Sequence, residues 1–175
     1  MNAAFIEIDK IFKFDCLIFH DVDMFVEDGR HMYNCVDAPR HLGALVQKYN
    51  YTFPCQCHVG GVLSIKKEQF KAINGFHILF YGWGDEDKDM LGRLRANKLN
   101  ITRYPQPLAK YTMITHERDK WNPPNRFRES FLLLHKSLND IKKYGLNTVN
   151  YSIDSFTLKP TYTLLQLKLS KLNCY

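Results

Sequence analysis

The chain has 175 residues, 45% hydrophobic and 24% charged, which fits one globular domain and excludes a disordered tail, a fibre or a coiled coil. Its 24 Lys and Arg against 18 Asp and Glu give a net charge of +6, but the positive charge is scattered, so no nucleic-acid face is expected. No stretch approaches the roughly 18 apolar residues of a spanning helix, and the opening MNAAFIEIDK lacks the basic-then-apolar plan of a signal peptide.

From Asn2 to about Lys13, Ala4, Phe5, Ile8 and Ile11 recur at helical spacing. Cys16-Leu17-Ile18-Phe19 reads as a buried strand ending at polar His20-Asp21, and Glu27-Asp28-Gly29 as a turn. A strand is expected over Val59 to Ile65, then a short helix over Lys66 to Ile73 stopped by Asn74-Gly75. Tyr81-Gly82-Trp83-Gly84 reads as a flexible loop. Asp85 to about Asn97 reads as a helix with acids in its first turn and Arg93 and Arg95 near its end, as the helix dipole favours. Tyr111 to Thr115 reads as a strand, and Trp121 to Asn125, with two prolines, cannot be helical. A one-sided helix is expected from about Arg126 to Tyr144, closed by Gly145, and one or two strands from Tyr151 to Leu169. Strands interleaved with helices indicate an α/β domain.

Three segments could carry chemistry. In Phe19-His20-Asp21-Val22-Asp23, an apolar strand runs into two carboxylates two residues apart. On extended backbone both project to one side, where hard oxygens would suit Mg or Mn; solvated turn acids are the plainer alternative. In Tyr81 to Asp89, glycines flank Trp83, and Asp85, Glu86, Asp87 and Asp89 crowd a helix start. That suits either an aromatic lid beside a carboxylate base or a core Trp with capping acids. Met113 and His116 are three apart, so a strict strand would face them oppositely; softness alone makes Met113 core and His116 the candidate ligand. Gly60-Gly61 either lets a ligand approach the backbone or forms a bulge.

Five cysteines are too few for a disulfide scaffold; Cys55 and Cys57 have the wrong spacing for a zinc knuckle and read as small, half-buried strand residues. Asn50, Asn100 and Asn150 each begin an Asn-X-Ser/Thr glycosylation pattern, which leans toward a secretory compartment, where Cys16 and Cys35 could persist as a bridge.

Taken in order, Phe19-His20-Asp21-Val22-Asp23, Ala38-Pro39-Arg40-His41, Gly60-Gly61-Val62, Ile73-Asn74-Gly75-Phe76, Gly82-Trp83-Gly84-Asp85-Glu86-Asp87 and Met113-Ile114-Thr115-His116 resemble the β-1,4-galactosyltransferase family. The resemblance implies a GT-A-like nucleotide-sugar transferase fold, a mixed sheet flanked by helices. It implies an inverting, manganese-dependent transfer of galactose or N-acetylgalactosamine from a UDP-sugar to the 4-hydroxyl of terminal N-acetylglucosamine or glucose. By this resemblance Asp23, Met113 and His116 are the metal ligands, with Met113 promoted from core. Asp87 is the base and Glu86 its supporting carboxylate. Asp21, Trp83, Gly60, Gly61 and His58 face the donor. Trp83, Glu86, Asp87, Arg126 and Phe127 face the acceptor, the segment from about His116 to Arg126 is the mobile loop, and Cys16 and Cys35 form the family's bridge. The family is Golgi-lumenal and anchored as type II membrane proteins. Its anchor and first nucleotide-binding strand would precede Asn2, so 1–175 reads as a partial catalytic domain, expected to be inactive alone.

The chain departs from the family pattern at Lys88, which stands where a third consecutive acid is usual, and at His58, where a donor-discriminating side chain sits. Lys88 could pair with Asp87 and lower its basicity. The alternative expectation is a secretory carbohydrate-binding module with transfer impaired.

Overall fold

The computed structural model describes residues 1–53, 57–117, 119–125 and 141–170. Helix α1 (Asn2–Ile11) forms as the spacing predicts and ends where Phe12 turns extended, but of the expected face only Phe5 is buried, with Asn2, Ala3 and Glu7, while Ile11 is exposed. Strand β1 (Cys16–His20) runs antiparallel to β5 (Val62–Lys66), and β3 (Arg40–His41) pairs with the other edge of β5. A second sheet places β6 (Lys110–Met113) between β2 (Met24–Val26) and β4 (Leu45–Val46), with β2 antiparallel to it and β4 parallel. A 3-10 turn (Gln47–Tyr49) follows β4. Helix α2 (Lys67–Ala72) stops as expected: Asn74 and Gly75 are both left-handed, and the Gly75 amide donates to the Phe70 carbonyl. Helix α3 (Glu86–Ala96) and a hairpin of β7 (Tyr151–Leu158) with β8 (Thr163–Leu169) complete the described elements.

Strand β5 divides the core. Its side chains alternate, so Leu63 and Ile65 pack with Phe5, Phe70, Ile73, Met90, Leu91 and Leu94 under the helices. Val62 faces the other way, toward Met24, Leu42, Val46 and Tyr111 of the second sheet. Cys16 and Cys35 form a disulfide that ties the start of β1 to the chain before β3.

Two readings are corrected and a third is extended. The strand expected from Val59 begins at Val62, because Gly61 at φ +81° cannot sit in a ladder. Cys57 is an exposed turn residue and is disulfide-bonded, not a half-buried strand residue. Arg93 and Arg95 do stand in the last turn of α3, but Arg93 does more than face the helix dipole. It is fully buried, its Nε donating to Asp89 Oδ2 at 2.7 Å and its two Nη groups to the Ile73, Gly75 and Tyr144 carbonyls. The helix expected from Arg126 lies almost wholly outside the described residues. Among those residues, no helix is long and apolar enough to cross a membrane.

Candidate active site

Asp21 and Asp23 reach one cleft by a turn, not along a strand. Strand β1 ends at His20, the Asp21 amide donates to the Gly61 carbonyl, and the Met24 amide donates back to the Asp21 carbonyl. The extended-backbone argument therefore fails in detail, although both carboxylates do face the cleft. His20 braces the turn, its Nδ1 2.7 Å from the Asp21 carbonyl and its Nε2 2.9 Å from the Tyr33 hydroxyl.

Register then brings in β6. Met24 pairs with Met113, so Met113 stands beside Asp23, and the Ile114 amide donates to the Asp23 carbonyl at 2.8 Å. The strand ends at Met113, and the bend beyond it turns His116 back to the same cleft. His116 Nε2 lies 3.2 Å from Asp23 Oδ2. Two ligands of one octahedral cation, each at about 2.1 Å, stand about 3 Å apart, so this pair has the right separation to share an ion. Among the described residues no three His, Cys, Asp or Glu side chains converge on one point, and Met113, which also lines this cleft, is the neighbour that the resemblance names as a further ligand. The cleft has a volume of about 660 Å³, and Trp83, 54% exposed and so not core, forms its far wall.

Trp83 is held through its backbone. Its amide donates to the Pro123 carbonyl at 2.9 Å, and its carbonyl accepts from the Asn125 amide at 3.0 Å. Gly82 permits this contact: its φ is +85°, and a Cβ there would lie 2.4 Å from the Pro123 oxygen. The tryptophan loop and the segment after His116, expected separately as mobile, are thus hydrogen-bonded to each other. Arg126 and Phe127 lie outside the described residues.

Beyond Trp83 a second pocket of about 360 Å³ is lined by His58 and by Gly84 to Lys88. Asp85 precedes α3 with φ +72° and makes no side-chain cap, so these acids are not simple helix caps. Asp87 points at the Gly60 backbone; a Cβ on Gly60 would lie 2.0 Å from Asp87 Oδ2. The pair Asp21 and Asp87 borders a small cavity with Gly60 and Gly61, walled by Phe19, Phe76 and Met90. Burial in that apolar wall, then the charges of Glu86 and Asp21, push the Asp87 carboxyl up to about 7. Asp21 is also raised, first by desolvation and then by Asp23. Lys88 does not pair with Asp87: its Nζ lies 2.5 Å from Asp85 Oδ1. Asp21 stands between two groups of acids: it borders the cleft with Asp23 and the small cavity with Glu86 and Asp87.

With this geometry in view, the comparisons are specific. The family model of the N-terminal region of glycosyl transferase group 7 matches residues 1–36, and that of the N-terminal domain of galactosyltransferase matches residues 40–117. The chain belongs to the β-1,4-galactosyltransferase family. It is 33% identical over 172 residues to human β-1,4-galactosyltransferase 2, covering 98% of this chain and 46% of the relative. It is 37% identical over 163 residues to β-1,4-galactosyltransferase 4 of Cricetulus griseus, covering 93% and 47%. The chain therefore spans about half the length of the curated relatives it matches. A crystal structure of Drosophila β-1,4-galactosyltransferase 7 in complex with manganese, UDP-Gal and xylobiose superposes with a TM-score of 0.75 at 26% identity, covering 97% of this chain and 73% of that one. The fold is thus the GT-A-type fold expected.

Sequence reasoning did not assign a role to His41, Arg103 or Phe53, which stack behind Gly60 and His58. His41 stood inside the quoted Pro-Arg-His segment, the one signal that could have drawn attention to it.

Proposed function

We propose that this chain carries the catalytic centre of an inverting β-1,4-galactosyltransferase. The proposed reaction moves galactose from a UDP-sugar to the 4-hydroxyl of a terminal acceptor sugar, N-acetylglucosamine or glucose, and N-acetylgalactosamine is the second donor to test. The observation that carries the reading is the raised carboxyl of Asp87, lodged against Gly60 across Trp83 from the Asp23–His116 pair.

Asp23 and His116, whose separation fits one cation, and Met113 beside them on β6 would hold the manganese ion. The chemistry such an ion supplies when bound is charge neutralisation on the leaving diphosphate. Asp87 takes the proton of the acceptor hydroxyl as that oxygen attacks the anomeric carbon and the C–O bond to UDP breaks. Attack from the face opposite the leaving group inverts the centre in a single displacement. A carboxyl near 7 suits a base at neutral pH, since it is neither fully protonated nor too weak to accept a proton. Glu86 accepts the Gly84 amide, which ties the base's neighbour to the tryptophan loop. The exposed indole offers a flat apolar face for a sugar ring and shields the reacting atoms from water.

The carbohydrate-binding alternative rested on two grounds, the family's first strand expected before Asn2 and Lys88 disabling Asp87; the second is addressed by the geometry. With Lys88 committed to Asp85, that argument lapses. The disulfide and the exposed Asn50, Asn100 and Asn150 support residence in the oxidising Golgi lumen as part of a membrane-anchored protein. The deciding experiment is radiolabelled transfer from UDP-galactose and UDP-N-acetylgalactosamine to N-acetylglucosamine, glucose and xyloside acceptors with manganese. Turnover abolished by Asp87→Asn supports the reading, whereas turnover that survives Asp87→Asn rejects it.

A further inference from the structure

The mechanism above leaves a buried histidine behind Gly60 unused. His41, on β3, is completely buried. Its Nε2 lies 2.8 Å from the Gly60 carbonyl oxygen, which can only accept, so Nε2 carries the hydrogen. Nδ1 is then a lone pair, and Arg103 Nε donates to it at 3.4 Å. Arg103 is itself seated 4.2 Å over the Phe53 ring. Burial pushes the imidazole down to about 3, so it stays neutral and keeps one tautomer at any physiological pH. Arg103 and His58 are the charged or titratable groups acting on it.

The Gly60 peptide is gripped from its other side as well. Its amide donates to His58 Nδ1 at 3.2 Å. Two imidazoles therefore fix one glycine, and that glycine's Cα is the surface against which the Asp87 carboxylate lies. Moving the peptide by a fraction of an ångström moves the wall of the proposed base.

We propose that His41 is a positioning residue for transfer: its single neutral tautomer, locked between Arg103 and the Gly60 carbonyl, sets where Asp87 stands. The inference rests on Asp87 acting as the base. His41→Leu fills similar volume but removes the Nε2 donor to the Gly60 carbonyl, which keeps only its bond from the Val62 amide, and removes the acceptor of Arg103 Nε, whereas His41→Gln offers a donor and an acceptor on one short stem. His41→Leu is expected to lower kcat at least 10-fold while acceptor KM changes less than 2-fold, and His41→Gln to recover most of the loss. Loosening the peptide admits water to Asp87, so in His41→Leu the acid limb of the kcat profile moves to lower pH. A merely structural defect would scale activity with the folded fraction and leave that limb in place.

A second readout needs no turnover. Carboxyl-carbon NMR of Asp87 is expected to titrate near neutral pH in the native chain and in His41→Gln, and at least half a pH unit lower in His41→Leu. An unchanged titration in folded His41→Leu overturns the proposal. If His41→Leu does not fold, His41→Asn, too short to reach Gly60, takes its place with the same two outcomes. The expected NMR contrast together with transfer that survives Asp87→Asn would overturn the base reading and with it the role of His41 in transfer, leaving only that His41 sets where Asp87 stands.

Discussion

Replacing Asp87 by Asn should stabilise the metal-free protein, and only where the carboxyl would be ionised. In the unfolded chain an Asp titrates at 3.8, and in the fold Asp87 is pushed up to about 7. A raised carboxyl favours the folded state while protonated, so this contribution is whole below pH 3.8 and is lost as pH rises through about 7. At about 1.4 kcal/mol per pH unit of difference, ionising Asp87 inside the fold costs about 4 kcal/mol at pH 8 and about 1 kcal/mol at pH 4.5. Asn mimics the protonated acid in shape and cannot ionise. Urea unfolding of the native chain and of Asp87→Asn at the two pH values therefore has a definite expectation. The variant should gain about 3 kcal/mol more, relative to the native chain, at pH 8 than at pH 4.5. Equal differences at the two pH values would show that Asp87 is an ordinary solvated carboxylate, and the reasoning that makes it a base would fail.

Three other outcomes follow from single contacts. Gly60→Ala puts a Cβ 2.0 Å from Asp87 Oδ2, so the carboxylate must move by more than an ångström; transfer assays should show kcat down about 10²-fold with the thermal midpoint nearly unchanged. Arg93→Met removes the guanidinium from buried Asp89 Oδ2 and from the carbonyls of Ile73, Gly75 and Tyr144, and chemical unfolding should register a loss of about 3–5 kcal/mol. Converting both Cys16 and Cys35 to Ser opens a loop of sequence separation 19, and the same measurement should register a loss of about 3 kcal/mol.

Local signals carried much of the fold. The spacing of α1, the Asn74-Gly75 stop after α2, the acidic start of α3 and the alternation before Leu169 all act over a few residues, so they can be read from the chain. Strands β2, β3 and β4 could not, because two or three residues carry no period. Their pairing is decided by partners such as Met113 for Met24 and Leu63 for His41, far along the chain. The site divides the same way. The residue types at Asp21, Asp23, Trp83, Asp87 and His116 suggested a cation and a base, but residue-by-residue reasoning rejected Met113, and only the family resemblance included it. The β2–β6 register sets its place beside Asp23. Lys88 had two acids within reach, and nothing in the sequence said that Asp85 would take it. The burial of Arg93 and His41 was not legible either, because burial is a property of the assembled fold.

The central claim is that Asp23 and His116, 3.2 Å apart, hold one divalent cation in the cleft that Trp83 separates from Asp87. Titrating the protein with Mn2+ and following the loss of the free-ion electron paramagnetic resonance signal tests it directly. One ion bound per chain, more tightly with UDP present and lost in both Asp23→Asn and His116→Ala, is the expected result. Equal Mn2+ binding by the native chain and those two variants would contradict it.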